Sequence, residues 1–171
     1  MGEVCIMDGI VKMREGSTTC LGQANEPFTI VGRVVPHFED GVWSWTEELF
    51  AEPYEKAYPR DDLGWDRYAD KPNKAIYFYF VKGVCVGQIV PRANWNHYCF
   101  IEDIAVVRDY RGQGIARKLL GQARMWALER SLLGFMLETQ DVNLLACRFY
   151  QRYGLKNSQP LGLCLRTGRY C

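Results

Sequence analysis

Residues 100–116 read FIEDIAVVRDYRGQGIA. Phe100 to Val107 is an apolar, β-branched run broken by one acidic pair, Glu102-Asp103, and predicts a mostly buried strand. Arg108-Asp109-Tyr110 is a polar break, and Arg111-Gly-Gln-Gly-Ile-Ala116 opens a helix. Two glycines let the backbone approach a ligand closely. The first helical turn beyond them presents unpaired N–H groups at the positive end of its dipole. Such a strand, glycine loop and helix start make a seat for an anion, above all a phosphate. The competing interpretation is a plain strand-to-helix turn, and a short glycine pattern alone does not choose between the two.

Upstream, Ala75–Val81 and Val84–Val90 read as two strands joined at Lys82-Gly83, a two-residue hairpin turn. With residues 100–107 they make three consecutive antiparallel strands that end at the glycine loop. Downstream, Ile115, Ala116, Leu119, Leu120, Ala123, Trp126 and Ala127 fall at helical spacing on one face. Gly134 closes that region, and Phe135–Thr139 is a short strand. Asn143 caps a second helix that Gly154 stops. The order from residue 75 is therefore β-β-β-α-β-α, with no internal repeat. Phe28–Val35 predicts a strand ended by Pro36, and Val42–Thr46 a short second one. Glu47–Asp70, with prolines, aromatics and acids, reads as a long loop with one helical turn at most, of the kind that more often serves function than filling. Residues 1–25 are weakly patterned. The domain expected is 26–171 with a core over 75–154. The tail after Leu155 has room for one strand around Leu161–Leu165 and scarcely for two.

The 171 residues suit one domain, 48% of them apolar, and the net charge of +1 does not suggest a nucleic-acid binder. No apolar run reaches the length of a membrane span, and the N-terminus lacks a basic segment followed by an apolar core. The chain reads as cytoplasmic, with seven reduced cysteines in no CxxC spacing and two histidines, which predicts neither a metal site nor a disulfide framework. Charge is uneven. Residues 39–70 hold ten acids against three bases, about −7, which leaves the remainder about +8. That split fits a solvated acidic surface. It fits equally a lobe that attracts a cationic substrate while the basic half holds an anionic ligand.

Arg111-x-x-Gly114-x-Ala116 after a strand resembles the acetyl-CoA pyrophosphate loop of the Gcn5-related N-acetyltransferase (GNAT) superfamily. Asn143-x-x-Ala146-x-x-x-Tyr150-x-x-x-Gly154 is similar to its second signature. Within it the chain resembles the streptothricin acetyltransferases, through Trp95-Asn96, Ile101-Glu-Asp-Ile104, Trp126-Ala-Leu128, Leu132-Leu-Gly134, Leu137-Glu-Thr-Gln140 and Pro53-Tyr54-x-Lys56-x-Tyr58. The likeness covers about residues 26–154. It implies an α/β (α+β) GNAT fold: a mixed, mostly antiparallel sheet flanked by helices, here with a C-terminal strand pair that the short tail predicts to be truncated.

The resemblance implies acetyl transfer from acetyl-CoA to an amine of a cationic small molecule, with streptothricin first. It implies Glu102 as general base and Tyr150 as the donor that protonates the departing thiolate. The alternatives for those two residues are a salt-bridged strand acid and a core tyrosine. Strict alternation puts Asp103 on the opposite side from Glu102. The pantetheine arm is expected along Ile104, Ala105 and Val106, and the pyrophosphate on Arg111, Gly112, Gln113, Gly114, Ile115 and Ala116. Asn143 is either a cofactor contact or an N-cap. Arg117 and Lys118 suit exposed helix surface better than phosphate pairing. For the acceptor the candidates are Trp95, Asn96, Tyr54, Tyr58, Asp61 and Asp62. A covalent route through Cys147 or Cys99 is weighed below direct attack in a ternary complex, since buried cysteine is usually an apolar filler. The expected state is a monomer or homodimer. Two other functions compete: acetylation of another small amine or a protein amine, and a catalytically degenerate acyl-CoA-binding module.

Overall fold

The computed structural model describes residues 8–14, 20, 22–58, 64–157, 165 and 166. Among the described residues nine strands and two α-helices follow in chain order: β1 (Gly9–Lys12), β2 (Phe28–Glu39), β3 (Val42–Lys56), β4 (Tyr77–Val81), β5 (Val84–Ala93), β6 (Cys99–Val106), α1 (Ile115–Leu128), β7 (Phe135–Leu137), α2 (Leu144–Tyr153), β8 (Lys156–Asn157) and β9 (Leu165–Arg166). Seven form one sheet in the order β1-β4-β5-β6-β7-β9-β8, and β2 with β3 forms a separate two-stranded ribbon. All neighbours in the large sheet are antiparallel except β6 and β7. The mixed, mostly antiparallel sheet with two helices is the arrangement expected from the sequence.

The β4–β5 turn is as predicted, with Lys82 and Gly83 both at positive φ (50° and 77°). Four expectations are corrected. β2 does not stop at Pro36 but runs on to Glu39. A two-stranded ribbon gives each strand a free edge, where a proline nitrogen costs no ladder bond. Likewise β5 passes through Pro91 to Ala93, because the ladder to β6 is broken by a bulge at that point. The long loop expected from Glu47 is a strand as far as Lys56. Its acids sit on a ribbon exposed over most of its length, so charge hid the strand pattern. Asp40 and Gly41, at φ 49° and 77°, turn the ribbon back on itself. At the other end, the tail supplies two strands rather than one, each of two residues. Residues 161–164 of the strand expected there lie outside the described residues.

The sheet has an apolar core on each face. One is built by α1 and α2. Leu119, Leu120, Ala123, Trp126 and Ala127 of α1 and Leu144, Cys147 and Tyr150 of α2 pack on Val86, Ile89, Ile101, Phe135 and Leu137. Full burial of one such side chain is worth about 1.5–3 kcal/mol, so this layer fixes the sheet. Gly87 lets α1 close on β5: a Cβ there would stand 3.2 Å from both Ile115 and Leu119. The opposite face has no α-helix among the described residues. It is covered by Met13, Cys20, Tyr68 and Ala69, which pack on Ile76, Phe78, Phe80, Cys85 and Val90. No helix among the described residues is long and apolar enough to cross a membrane.

Candidate active site

The site grows from the way β6 loses its neighbour. β6 and β7 pair only over Cys99–Phe135, Phe100–Met136 and Ile101–Leu137. Beyond β7 the chain leaves for the ribbon, where Val34 donates its N–H to the Asp141 carbonyl at 2.9 Å and Gly32 bridges to Asn143. From Glu102 onward the β7-side edge of β6 is unpaired by any strand among the described residues. The other edge stays paired with β5, from Val90–Asp103 to Gly87–Val106. Val107 donates to the Val86 carbonyl at 2.9 Å. In an antiparallel ladder main-chain groups alternate between the two edges. Asp103 and Ala105 therefore point their N–H and C=O at β5, while Ile104 and Val106 point theirs at the open edge. Of these, the Val106 carbonyl is taken by Arg111 Nε at 2.8 Å.

The open edge leads to the glycine loop. Gly112 and Gly114 stand at φ 75° and 81°, and a Cβ on either would meet nothing within 4 Å. What the positions demand is the left-handed backbone, which glycine adopts without strain. Gly114 is the N-cap of α1, with no side chain to occupy the free amides of Ile115 and Ala116. These amides and those of residues 112–114 are the candidates for the anion seat expected from the sequence, whereas the Arg111 amide donates to the Arg108 carbonyl at 3.1 Å. Lys118 donates to Tyr79 Oη at 2.9 Å, and Arg117 lies over the Tyr153 ring at 5.9 Å, so both are engaged with neighbouring elements.

At the other end of the open edge stands Glu102. Asp103 pairs with Val90 and Ile101 with Pro91, so Glu102 is the extra residue of a bulge. The bulge overturns the alternation expected from the sequence. Ile101 and Ile104, three residues apart, both pack into the helix-side core. Glu102 and Asp103 both turn to the other face. Glu102 Oε2 accepts from Tyr68 Oη at 2.5 Å and Oε1 from Arg92 Nε at 2.5 Å. Arg92 also donates to Asn94 Oδ1 at 3.1 Å. Glu102 is thus ion-paired, yet a carboxylate offers about four acceptor positions and two remain. Burial, then the hydrogen bond and charge of Glu102, push the Tyr68 hydroxyl up to about 12, so it stays protonated and donates. Asp103 accepts from Gln88 Nε2 at 2.5 Å, and Gln88 Oε1 accepts from the Gly22 amide at 3.0 Å. Burial raises the Asp103 carboxyl above the usual carboxylate range, against the lowering by Gln88.

Tyr150 lies on α2, 8% exposed. Burial first, then the nearby Asp103 charge, pushes its hydroxyl well above the ordinary tyrosine value. Asn143 accepts from the Ala146 amide at 3.3 Å, so it does cap α2. Tyr58 reaches the same place: a hydrogen bond to Asn143 partly offsets the upward push of burial on its hydroxyl, and its ring packs 5.1 Å from Phe28. Cys147 and Cys99 are pushed up to about 12 by burial. Neither is a thiolate at neutral pH, which leaves direct attack as the simpler route.

The acceptor candidates divide. Asn96 is tied to Asn94 and to Met136 Sδ, at 3.1 and 3.3 Å, and through Asn94 and Arg92 to Glu102. Trp95 beside it is 88% exposed. Tyr58 joins Asn143, whereas Tyr54 stays out on the ribbon, stacked on Phe50 at 6.3 Å. Asp61 and Asp62 lie outside the described residues. Three residues at the site escaped the sequence: Arg92, Tyr68 and Gln88. Arg92 had a signal, since pairing the two strands brings it opposite Phe100. Tyr68 had none, because nothing local predicts its fold back over 34 residues onto Glu102.

Residues 40–155 match the model of the acetyltransferase (GNAT) family. The chain is 45% identical over 144 residues to streptothricin acetyltransferase A of Bacillus subtilis, covering 84% of this chain and 83% of that protein. It is 39% identical over 102 residues to a streptothricin acetyltransferase of Escherichia coli, covering 60% and 55%. A crystal structure from Bacillus anthracis, assigned as a streptothricin acetyltransferase and solved with acetyl coenzyme A, superposes with a TM-score of 0.80 at 33% identity over 88% of this chain and 84% of that one. Nourseothricin acetyltransferase shares the fold, with a TM-score of 0.76 at 23% identity over 94% and 98%. The match over most of the chain, the opened strand edge and the two-glycine loop lead to one conclusion: the chain belongs to the GNAT family of acetyltransferases.

Proposed function

We propose that the protein is an acetyl-CoA-dependent N-acetyltransferase that acetylates a primary amine of streptothricin, by direct attack within a ternary complex, and so confers resistance to that antibiotic. The observation that carries the reading is the unpaired edge of β6, which runs from a carboxylate at a bulge, Glu102, to a two-glycine anion seat. The main chain of Ile104 and Val106 has the spacing to bind an amide-bearing arm along that edge, while Ala105 is already turned to β5. Residues 112–116 offer amides to a pyrophosphate, with Arg111 next to them in the loop. When bound, acetyl-CoA supplies an activated thioester carbonyl.

An alkyl amine of pKa about 10.4 arrives as its ammonium ion and must lose a proton before it attacks. Glu102 takes that proton, directly or through one water, at an acceptor position left free by Tyr68 and Arg92. Tyr150, kept protonated by burial, donates to the departing thiolate. An N–H of the open edge polarises the carbonyl as charge develops on its oxygen. Asn143, already the α2 cap, is a further cofactor contact. Asn96, Trp95, Tyr58 and Tyr54 form the acceptor side together with Asp61 and Asp62. The carboxylates draw a polycationic substrate. The enzyme acts in the cytoplasm as a monomer or homodimer, with residues 26–171 as its catalytic domain.

The test is a panel of amines, streptothricin among them, incubated with acetyl-CoA while free CoA thiol is followed. Release with streptothricin is expected. Release with other amines and none with streptothricin overturns the substrate. Tight CoA binding without release on any amine overturns the activity.

A further inference from the structure

We propose that Tyr68 is a positioning residue for acetyl transfer, holding the Glu102 carboxylate in the plane from which it accepts the amine proton. The inference rests on Glu102 being the base. At a bulge the ladder does not fix a side chain through its cross-strand neighbours, and the last torsion of a glutamate is broad. Glu102 therefore needs holding from outside its own strand. Two donors do this, one on each oxygen: Tyr68 Oη on Oε2 and Arg92 Nε on Oε1, both at 2.5 Å. Arg92 is itself steadied by Asn94.

Tyr68 closes a one-turn 3-10 helix (Trp65–Tyr68) and is 9% exposed. Its ring sits in the second core with Met13, Ile76, Phe78 and Val90, and Lys74 Nζ lies over it at 4.4 Å. The hydroxyl is thus placed by packing and does not depend on Glu102 for its position. Loss of the hydroxyl leaves the carboxylate held at one oxygen, free to turn about the Arg92 contact. The cost then falls on turnover and spares cofactor affinity, because the Tyr68 hydroxyl acts on the Glu102 side chain, at the end of the open edge away from the glycine loop.

A double-mutant cycle tests this. Tyr68→Phe is expected to lower kcat about tenfold, the usual scale for a hydrogen bond to a charged group, with the Kd for CoA and the Tm close to wild type. In a Glu102→Gln background the same change should cost less than about twofold, because the group it acts through is gone. A second reading avoids turnover altogether. In protein carrying tyrosine labelled with carbon-13 at Cζ, the Tyr68 resonance is identified by its loss in Tyr68→Phe. It should titrate at higher pH in wild type than in Glu102→Gln. Full activity of Tyr68→Phe, an equal loss in both backgrounds, or an unchanged Tyr68 titration overturns the proposal. If Glu102→Gln keeps full activity, it is the assignment of the base that fails. A large Glu102→Gln loss beside a silent Tyr68→Phe leaves the base standing and removes only the positioning role.

Discussion

Two antiparallel pairs in this molecule are built on opposite plans. β5 and β6 lie in the middle of a seven-stranded sheet, with apolar cores on both faces. β2 and β3 form a ribbon of their own, with Phe38, Val42, Leu49 and Tyr54 all more than 40% exposed. The central pair can tolerate a bulge, a proline and a missing neighbour because the helices hold it from one side. Those irregularities are where the proposed chemistry gathers. The ribbon has regular pairing for most of its length and no second layer along most of it. It is seated on the domain along one stretch, where Ile30 and Val34 are buried and Val31 and Trp45 pack on the helix-side core, with Gly32 against Leu144 and Asn143, Val34 against Asp141, and ion pairs from Glu47 to Arg148 and Glu55 to Arg108. On the proposed mechanism, irregularity in the centre serves function and regularity at the periphery serves structure.

The contrast can be broken at graded points. The largest effect belongs to the bulge. Glu102→Gln should lower kcat by about 10²–10⁴, the range for loss of a general base, with no loss of CoA affinity. A wild-type rate would show the bulge to be merely structural. Next is the close approach at Gly32, where β2 meets β3 within the ribbon and α2 beyond it. A Cβ on Gly32 would stand 2.4 Å from the Glu48 carbonyl oxygen and 3.0 Å from Leu49 Cα, both backbone atoms with little room to move. Gly32→Ala should destabilise by about 1–3 kcal/mol in a denaturant titration, as overpacking does. An unchanged midpoint would mean that the ribbon shifts freely.

A smaller effect, readable through its pH dependence, comes from Asp103. Its folded-state carboxyl lies above the unfolded value near 3.9, so the proton is held more tightly in the folded protein. The wild type therefore loses stability relative to Asp103→Asn as pH rises from about 4 through the raised pKa, and the gap levels off above it. The asparagine keeps an acceptor for Gln88. Thermal melts should show the two proteins together at low pH and the variant higher at neutral pH. A gap that is constant across pH would remove burial of the charge as the cause. The smallest effect belongs to the exposed pair of Arg148 and Glu47. Arg148→Ala should move Tm by no more than about 2 °C, since such pairs are solvated. A larger shift would mean that ion pairs, and not Gly32, seat the ribbon.

The same contrast explains what could be read in advance. The buried strands and α1 were legible because burial on one face writes a period into the sequence: Leu119, Leu120, Ala123 and Trp126 recur at helical spacing. The glycine loop was legible because positive φ at Gly112 and Gly114 demands a particular residue. Of β3 only Val42–Thr46 was, since beyond it an exposed ribbon has no apolar face to announce it and its acids resemble loop composition. Nor was the bulge, where one inserted residue turned Asp103 to the face of Glu102 without a local mark. Tyr68 and Arg92 reach Glu102 through tertiary folding, which composition and spacing near residue 102 do not record.

The central claim is that the β6 edge from Glu102 to Val106 is left open to take the cofactor. Amide hydrogen exchange at single-residue resolution, with and without CoA, tests it most directly. The amides of Ile104 and Val106 should exchange fast in the free protein and slow markedly with CoA, while that of Ala105, bonded to β5, is protected in both. Equal protection of Ile104, Ala105 and Val106 before CoA is added, or no change when it binds, would contradict the account.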